Sequence, residues 1–327
     1  MKNSVFVTRK LPERGLKLIK EHFNAIVWSG EFPPTSDEIV ANAKDCEGIV
    51  TLLSDPINTD LLEQLPKLRV IAQYAVGYDN IDVKYATGHG IIITNTPGVL
   101  TETTADLTWA LIMATARRIV EADKYIREGN WKVAWGPELL LGIDVHEATL
   151  GIIGVGRIGS AVARRAVGFD MKVIYYNRSK NEFTRRIEEQ VGAKSVDLET
   201  LLRESDIITV HVPLTRDTIR MIGRRELGMM KKDAILINTS RGAVIDERAL
   251  YNALKNGKLG AAGIDVFEIE PISSTNPLLK LDNVVVVPHI GSASLATRTT
   301  MAKMCAENLI SALSGNEPPN IVNPEVL

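Results

Sequence analysis

The segment that most constrains this chain is Thr149-Leu150-Gly151-Ile152-Ile153. This apolar run passes directly into Gly154-Val155-Gly156-Arg157-Ile158-Gly159 and then into the helix-forming Ser160-Ala161-Val162-Ala163-Arg164-Arg165. A strand, a G-x-G-x-x-G turn and a helix in that order open a βαβ unit that wraps a pyrophosphate. Each glycine has its own reason. Gly154 permits the tight turn, Gly156 lets backbone amides approach the anion, and Gly159 lets the helix lie close on the sheet. The helix amino terminus then faces the phosphates. A merely structural glycine turn is the plainer alternative; the strand, helix and following strand in register argue against it.

Around this turn, apolar runs of strand length alternate with amphipathic stretches of helix length, the signature of parallel strands joined by crossover helices. The fold class predicted is α/β, with two doubly wound parallel-sheet domains. A length of 327 residues fits two domains at roughly 150 residues each. Strands are predicted over 5–8, 25–28, 48–52, 70–72 and 91–94, separated by helices such as 11–21 and 37–43. A long helix over 101–128 can bridge two domains. Further strands follow over 149–153, 172–176, 207–210, 234–238, 262–266 and 284–287, six in all and enough for one dinucleotide-binding sheet. A helix over 294–313 and the proline-bearing tail 320–327 are placed back on the first domain. The expected division is a Rossmann domain over 99–290, inserted in a flavodoxin-like domain made of 1–98 and 291–327.

Charge narrows the partners. Thirty-eight basic against forty acidic residues leave a net charge of -2, with no summed positive field to hold nucleic acid or an anionic membrane. Cys46 and Cys305, the two cysteines, are too few for a disulfide framework and suit a reducing compartment; both read as buried, inert thiols. The amino terminus lacks the apolar core of a secretion signal. The apolar stretch from Trp109 to Ala116 falls well short of the ~20 residues that cross a bilayer. A cytoplasmic protein is expected, and no metal site is called for.

Cofactor choice is read at the end of the second strand of the nucleotide-binding series. An acidic residue there would bond the 2′-hydroxyl of NAD, but this chain has Asn177-Arg178-Ser179-Lys180. Asn177 and Ser179 can donate to a 2′-phosphate and Arg178 can pair with it in bidentate fashion. NADP(H) is therefore preferred, with NAD(H) the second choice. The competing reading makes Arg178 and Lys180 ordinary surface charges. Three later strand ends carry polar residues where an open parallel sheet lines its crevice: Asn238-Thr239-Ser240-Arg241-Gly242, Asp265-Val266-Phe267-Glu268-Ile269-Glu270-Pro271 and Pro288-His289-Ile290-Gly291.

These stretches, with Gly154 to Gly159, closely resemble the D-isomer-specific 2-hydroxyacid dehydrogenase family, in particular its glyoxylate and hydroxypyruvate reductases, over nearly the whole chain. The resemblance implies reduction of small 2-oxoacids, with Arg241, Glu270 and His289 as the catalytic set. Chemistry accounts for the types: Arg241 can bind a carboxylate and polarise a carbonyl, His289 can protonate a developing alkoxide, and Glu270 can stabilise the imidazolium. Glu268 is the nearest rival to Glu270, but the family acid stands immediately before the proline. His22, His89, His146 and His211 lack this context. The resemblance also implies cofactor contacts at Arg157, Ile158, Val212, Pro213, Thr239, Ser240, Asp265 and Gly291. In the first domain it implies substrate contacts at Leu53 and at the amides of Val76 and Gly77, within Tyr74-Ala75-Val76-Gly77-Tyr78-Asp79. A homodimer is implied, with Trp135 reaching a neighbouring subunit's pocket or packed within its own chain. Leu53-Ser54-Asp55-Pro56 lacks the arginine of phosphoglycerate dehydrogenases, and formate dehydrogenases have Gln at the Glu270 position. From another class, a nucleotide-sensing module resembling corepressors of the C-terminal-binding type shares the fold and similar polar residues.

Overall fold

A computed structural model describes residues 2–327. In chain order the elements begin with β1 Ser4–Val7, α1 Glu13–His22, β2 Asn24–Val27, α2 Ser36–Ala43, β3 Gly48–Thr51, α3 Thr59–Leu62, β4 Val70–Gln73, α4 Val83–Gly88 and β5 Ile92–Thr94. Next come α5 Thr101–Ala116, α6 Ile119–Arg127, β6 Thr149–Ile153, α7 Arg157–Ala166, β7 Lys172–Tyr176, α8 Glu182–Val191 and β8 Lys194–Ser195. The last are α9 Leu198–Glu204, β9 Ile207–Val210, α10 Arg224–Leu227, β10 Ile235–Asn238, α11 Glu247–Lys255, β11 Ala261–Ile264, β12 Val284–Val286 and α12 Leu295–Leu313. Helix starts follow the local chemistry. Thr35 and Glu38 form a reciprocal capping box on α2, and Asn181, Asp246 and Ser294 accept from the first turns of α8, α11 and α12.

Two compact units result. One runs through Leu100 and resumes over Ser292–Leu327; the other is Thr101–Gly291. The crossovers thus fall after residues 100 and 291, against 98 and 290 in the sequence reading.

The first unit holds a five-stranded parallel sheet in the order β2-β1-β3-β4-β5, the flavodoxin-like order. Its strands are apolar on both faces, as parallel strands under helices must be. Val5, Val7, Val50 and Val70 pack with Ile19 and Leu309, while Phe6, Ile49 and Ile71 pack with Ile39 and Leu61. Gly15 lets α1 close on α12, since a Cβ there would collide with the Ala302 backbone. The tail joins the sheet edge: Ile321 bridges Thr94, Val322 N–H donates to Ile93 C=O at 2.8 Å, and Asn323 Oδ1 accepts from Ile93 N–H.

The second unit holds a seven-stranded parallel sheet, β12-β11-β10-β9-β6-β7-β8. The order reverses direction between β6 and β9, which places a ligand crevice at their carboxyl ends. The seventh strand, β8, was not anticipated. It is two exposed polar residues at the sheet edge, too short and too polar to show a period. The single long helix expected over 101–128 is instead two helices. Arg118 adopts a left-handed conformation (φ 51°) between α5 and α6, and Ala116 C=O accepts from Ile143 N–H at 2.9 Å. The Arg118 guanidinium then grips the Glu121 carboxylate at 2.8 and 2.7 Å. Both cysteines are free and buried, and burial pushes the Cys305 thiol up to about 12 and that of Cys46 up to about 11. Among the described residues no helix is long and apolar enough to cross a membrane.

Candidate active site

The glycine turn sits at the carboxyl end of β6. Gly154 has φ +94°, and a Cβ there would lie 2.7 Å from Val212 Cγ1 and 2.9 Å from the His211 carbonyl, so both conformation and space demand glycine. At Gly159 a Cβ would collide with Gly154 O; at Gly156, the amino cap of α7, it would meet nothing within 4 Å. Packing therefore dictates the outer glycines, whereas open space surrounds the middle one. That space, in front of the unpartnered first-turn amides of α7, fits a dinucleotide pyrophosphate. Arg157 lies over the Phe183 ring at 5.6 Å, and Ile158 packs against the core beneath.

At the end of β7, Asn177 has a local task. Its Oδ1 accepts from Val155 N–H at 2.9 Å and its Nδ2 donates to Ser179 C=O at 2.6 Å, tying the second strand end to the glycine turn. Arg178 pairs with Asp217 at 3.4 Å, both largely exposed. Val212 packs on Gly154, and Pro213 C=O accepts from Thr218 Oγ1. Thr239 is buried with its hydroxyl 3.0 Å from that of Thr108, and Ser240 donates through N–H and Oγ to Asn238 Oδ1.

Three loops bring the polar groups together. His289 Nδ1 lies 2.7 Å from Glu270 Oε2, while Glu270 Oε1 accepts from Phe267 N–H at 2.9 Å. Burial pushes the Glu270 carboxyl upward, but the hydrogen bond and charge of His289, the Phe267 amide and the Arg241 charge outweigh it and hold the group below its ordinary value. Arg241 sits at the end of β10, where Asn238 Nδ2 donates to its carbonyl at 3.0 Å. Glu268, the rival acid, instead pairs with Arg220 at 2.7 Å.

His289 is held in a left-handed conformation (φ 49°), one that costs a non-glycine residue about 1–3 kcal/mol. Asp265 supplies the restraint. Its carbonyl accepts from His289 N–H at 2.9 Å, its Oδ1 from Ile290 N–H at 2.6 Å and its Oδ2 from Gly291 N–H at 2.9 Å. Burial pushes the Asp265 carboxyl up to about 6 against the opposing pull of these amides and of His289. The observed side-chain contacts of Asp265 are thus to the His289 loop.

In the first unit, Val76 and Gly77 lie in the loop after β4, half-buried, and neither N–H donates a hydrogen bond among the described residues. Leu53 lies in the turn after β3, which Asp55 closes by accepting from Leu52 N–H at 2.7 Å. Trp135 is 77 % exposed, so it does not pack within its own chain.

At two positions named in the sequence reading, Gly242 and His211, the contacts made were not foreseen. Gly242 lets the Arg241 turn close on the Glu270 loop, because a Cβ there would collide with the Phe267 carbonyl; its signal was only its place after the arginine. His211 follows β9 at the sheet's reversal point, where its ring is pushed down to about 3 by burial and is therefore neutral. Nothing in its neighbours in sequence marks the close approach of its backbone carbonyl to Gly154.

Residues 109–291 match the family model described as D-isomer specific 2-hydroxyacid dehydrogenase, NAD binding domain. The chain is 58 % identical over 327 residues to a glyoxylate reductase of Korarchaeum cryptofilum, covering 100 % of this chain and 98 % of that one. A crystal structure of a protein from Thermus thermophilus superposes with a TM-score of 0.90 at 45 % identity, over 98 % of this chain and 99 % of the other. An NADPH-dependent glyoxylate/hydroxypyruvate reductase from Sinorhizobium meliloti, solved in complex with NADP and malonate, gives a TM-score of 0.88 at 32 % identity over 100 % of this chain and 98 % of the other. With its family model matched over more than half its length and a full-length relative well above 30 % identity, the chain belongs to the D-isomer-specific 2-hydroxyacid dehydrogenases.

Proposed function

We propose that the protein reduces small 2-oxoacids, glyoxylate first and hydroxypyruvate second, with NADPH preferred over NADH. The observation that carries this reading is the 2.7 Å contact between His289 Nδ1 and Glu270. It engages one ring nitrogen with a carboxylate held ionised and leaves Nε2 to face a substrate oxygen. A bound nicotinamide would supply the hydride. Arg241 binds the substrate carboxylate and polarises the carbonyl with a permanent charge. His289 delivers a proton from Nε2 to the oxygen as negative charge develops, and Glu270 stabilises the imidazolium before transfer. In the oxidative direction the same ring is the base. Asp265 contributes by fixing the backbone on which the ring stands.

The amides of Val76 and Gly77 are the proposed further donors to the substrate carboxylate. No cation stands in Leu53-Ser54-Asp55-Pro56 and Asp55 is buried, which favours a small uncharged substituent over a phosphate. The absence of a carboxylate at Asn177 favours NADPH, with Arg178 changing partner from Asp217 to the 2′-phosphate. A homodimer is proposed on the exposed apolar side chains of Trp131, Val133, Trp135 and Leu141, which lie in one segment and need cover.

The test is a spectrophotometric assay with NADPH or NADH and a panel of 2-oxoacids. Substrate-dependent loss of nicotinamide absorbance, greatest with glyoxylate and NADPH, is expected. Cofactor binding with no such loss would instead mark a nucleotide-sensing module.

A further inference from the structure

The loop after β4 exposes more than the two amides already named. Val76, Gly77 and Tyr78 all have N–H groups that donate to nothing among the described residues, and the cause lies in the carbonyl of each preceding residue. Ala75 C=O accepts from Thr96 N–H at 2.9 Å, Val76 C=O from Asn95 Nδ2 at 2.8 Å, and Gly77 C=O from Gln73 Nε2 at 3.2 Å. Across a trans peptide the C=O of one residue and the N–H of the next point in opposite directions. Each of the three N–H groups is therefore turned away from the donors at the carboxyl ends of β4 and β5. Successive backbone N–H groups in a turn can form an anion-binding concavity, and this loop offers three of them without an acceptor among the described residues.

The two residues that do the holding are themselves fixed, Asn95 through its backbone and Gln73 through its side chain. Asn95 donates through its N–H to Asn320 C=O at 3.2 Å, its C=O accepts from Asn308 Nδ2 at 2.9 Å, and Asn308 Oδ1 accepts from Asn320 Nδ2 at 3.0 Å. The helix α12 and the tail thus lock Asn95 beside the loop. Gln73 is buried; its Oε1 accepts from Thr51 Oγ1 at 2.6 Å, and its Nε2 donates a second bond to Asn80 Oδ1 at 2.8 Å. Asn80 Nδ2 in turn donates to Leu52 C=O at 3.0 Å and Asp55 C=O at 2.8 Å. One amide chain therefore sets the peptide planes of both loops of this unit in which substrate contacts are proposed.

We propose that Asn95 and Gln73 are positioning residues that orient the Gly77 and Tyr78 amides and, with the Val76 amide set by the Thr96 backbone, complete a three-donor receptor for the substrate carboxylate. This rests on the reading that the loop binds that carboxylate. Neither side chain touches the substrate; each acts through the peptide whose carbonyl it holds.

The test begins with Asn95→Asp, nearly isosteric and able to keep the backbone bonds to Asn308 and Asn320. It sets acceptor-only oxygen against the Val76 carbonyl and so turns that peptide over. A hydrogen bond to a charged group is a matter of about 10- to 100-fold in affinity. The KM for glyoxylate is expected to rise at least about tenfold at neutral pH, with no matching rise in the KM for NADPH. The defect should shrink as the pH is lowered and the introduced carboxyl protonates and donates again. Asn95→Ala should raise the same KM without that recovery. An unaltered KM for glyoxylate in both variants, or equal rises for glyoxylate and NADPH, overturns the proposal. Gly77→Pro deletes one of the three donors and separates the two ideas. If it leaves the KM for glyoxylate unchanged, the loop does not bind the carboxylate. If it raises that KM while both Asn95 variants do not, only the positioning role is wrong.

Discussion

Three residues are proposed to carry the chemistry, and their environments differ in ways that can be measured. Glu270 has a carboxyl held below its ordinary value, because the His289 contact, the Phe267 amide and the Arg241 charge outweigh its burial. A carboxyl lowered on folding contributes stability that is present above its unfolded value and is lost as pH falls through its folded value. Wild type should therefore exceed Glu270→Gln in thermal stability at neutral pH, with the gap closing as the pH is lowered through the acid carboxylate range; a gap that widens towards acid would contradict the pairing. Asp265 accepts from three successive groups of the His289 loop. Asp265→Asn turns an amide NH2 towards one of those N–H donors, a mismatch worth about 1–3 kcal/mol. Turnover and melting temperature should fall together, and unaltered kinetics would release Asp265 from the positioning of His289.

Among the elements, the glycines make opposite predictions because their surroundings differ. Gly156→Ala puts a methyl into open space, so stability should change by less than about 1 kcal/mol while the KM for NADPH rises sharply. A stable variant with unchanged cofactor KM would mean that no pyrophosphate rests there. Gly242→Ala drives a Cβ into the Phe267 carbonyl; overpacking of this kind costs about 1–3 kcal/mol, and both stability and turnover should fall. This contrast explains what the sequence could reveal. The strand–glycine–helix context of Gly154 to Gly159 is local and so was readable, as were the apolar runs that became β6, β7, β9 and β10. The break at Arg118 was not, because it depends on Ile143 reaching back to Ala116 across a long loop. The two polar residues of β8 carry no period, and the holding of Val76 by Asn95 joins positions distant in sequence whose side chains carry no motif. The Glu270–His289 pair was legible only through resemblance, since a lone histidine after a strand is commonly structural.

At the scale of the whole molecule, Trp131 and Trp135 are 53 % and 77 % exposed, and large exposed apolar side chains in one segment are what an interface between subunits would cover. Sedimentation should show a dimer, and replacing both tryptophans by serine should shift it towards monomer; a monomeric wild type would leave the segment unexplained. The central claim remains the catalytic partnership built on His289. Its most direct test is single-turnover oxidation of NADPH by glyoxylate, comparing wild type with His289→Ala at saturating cofactor. Loss of the proton donor should slow the step by about 10²–10⁴-fold while cofactor affinity is retained. Equal rates in the two proteins would contradict the account.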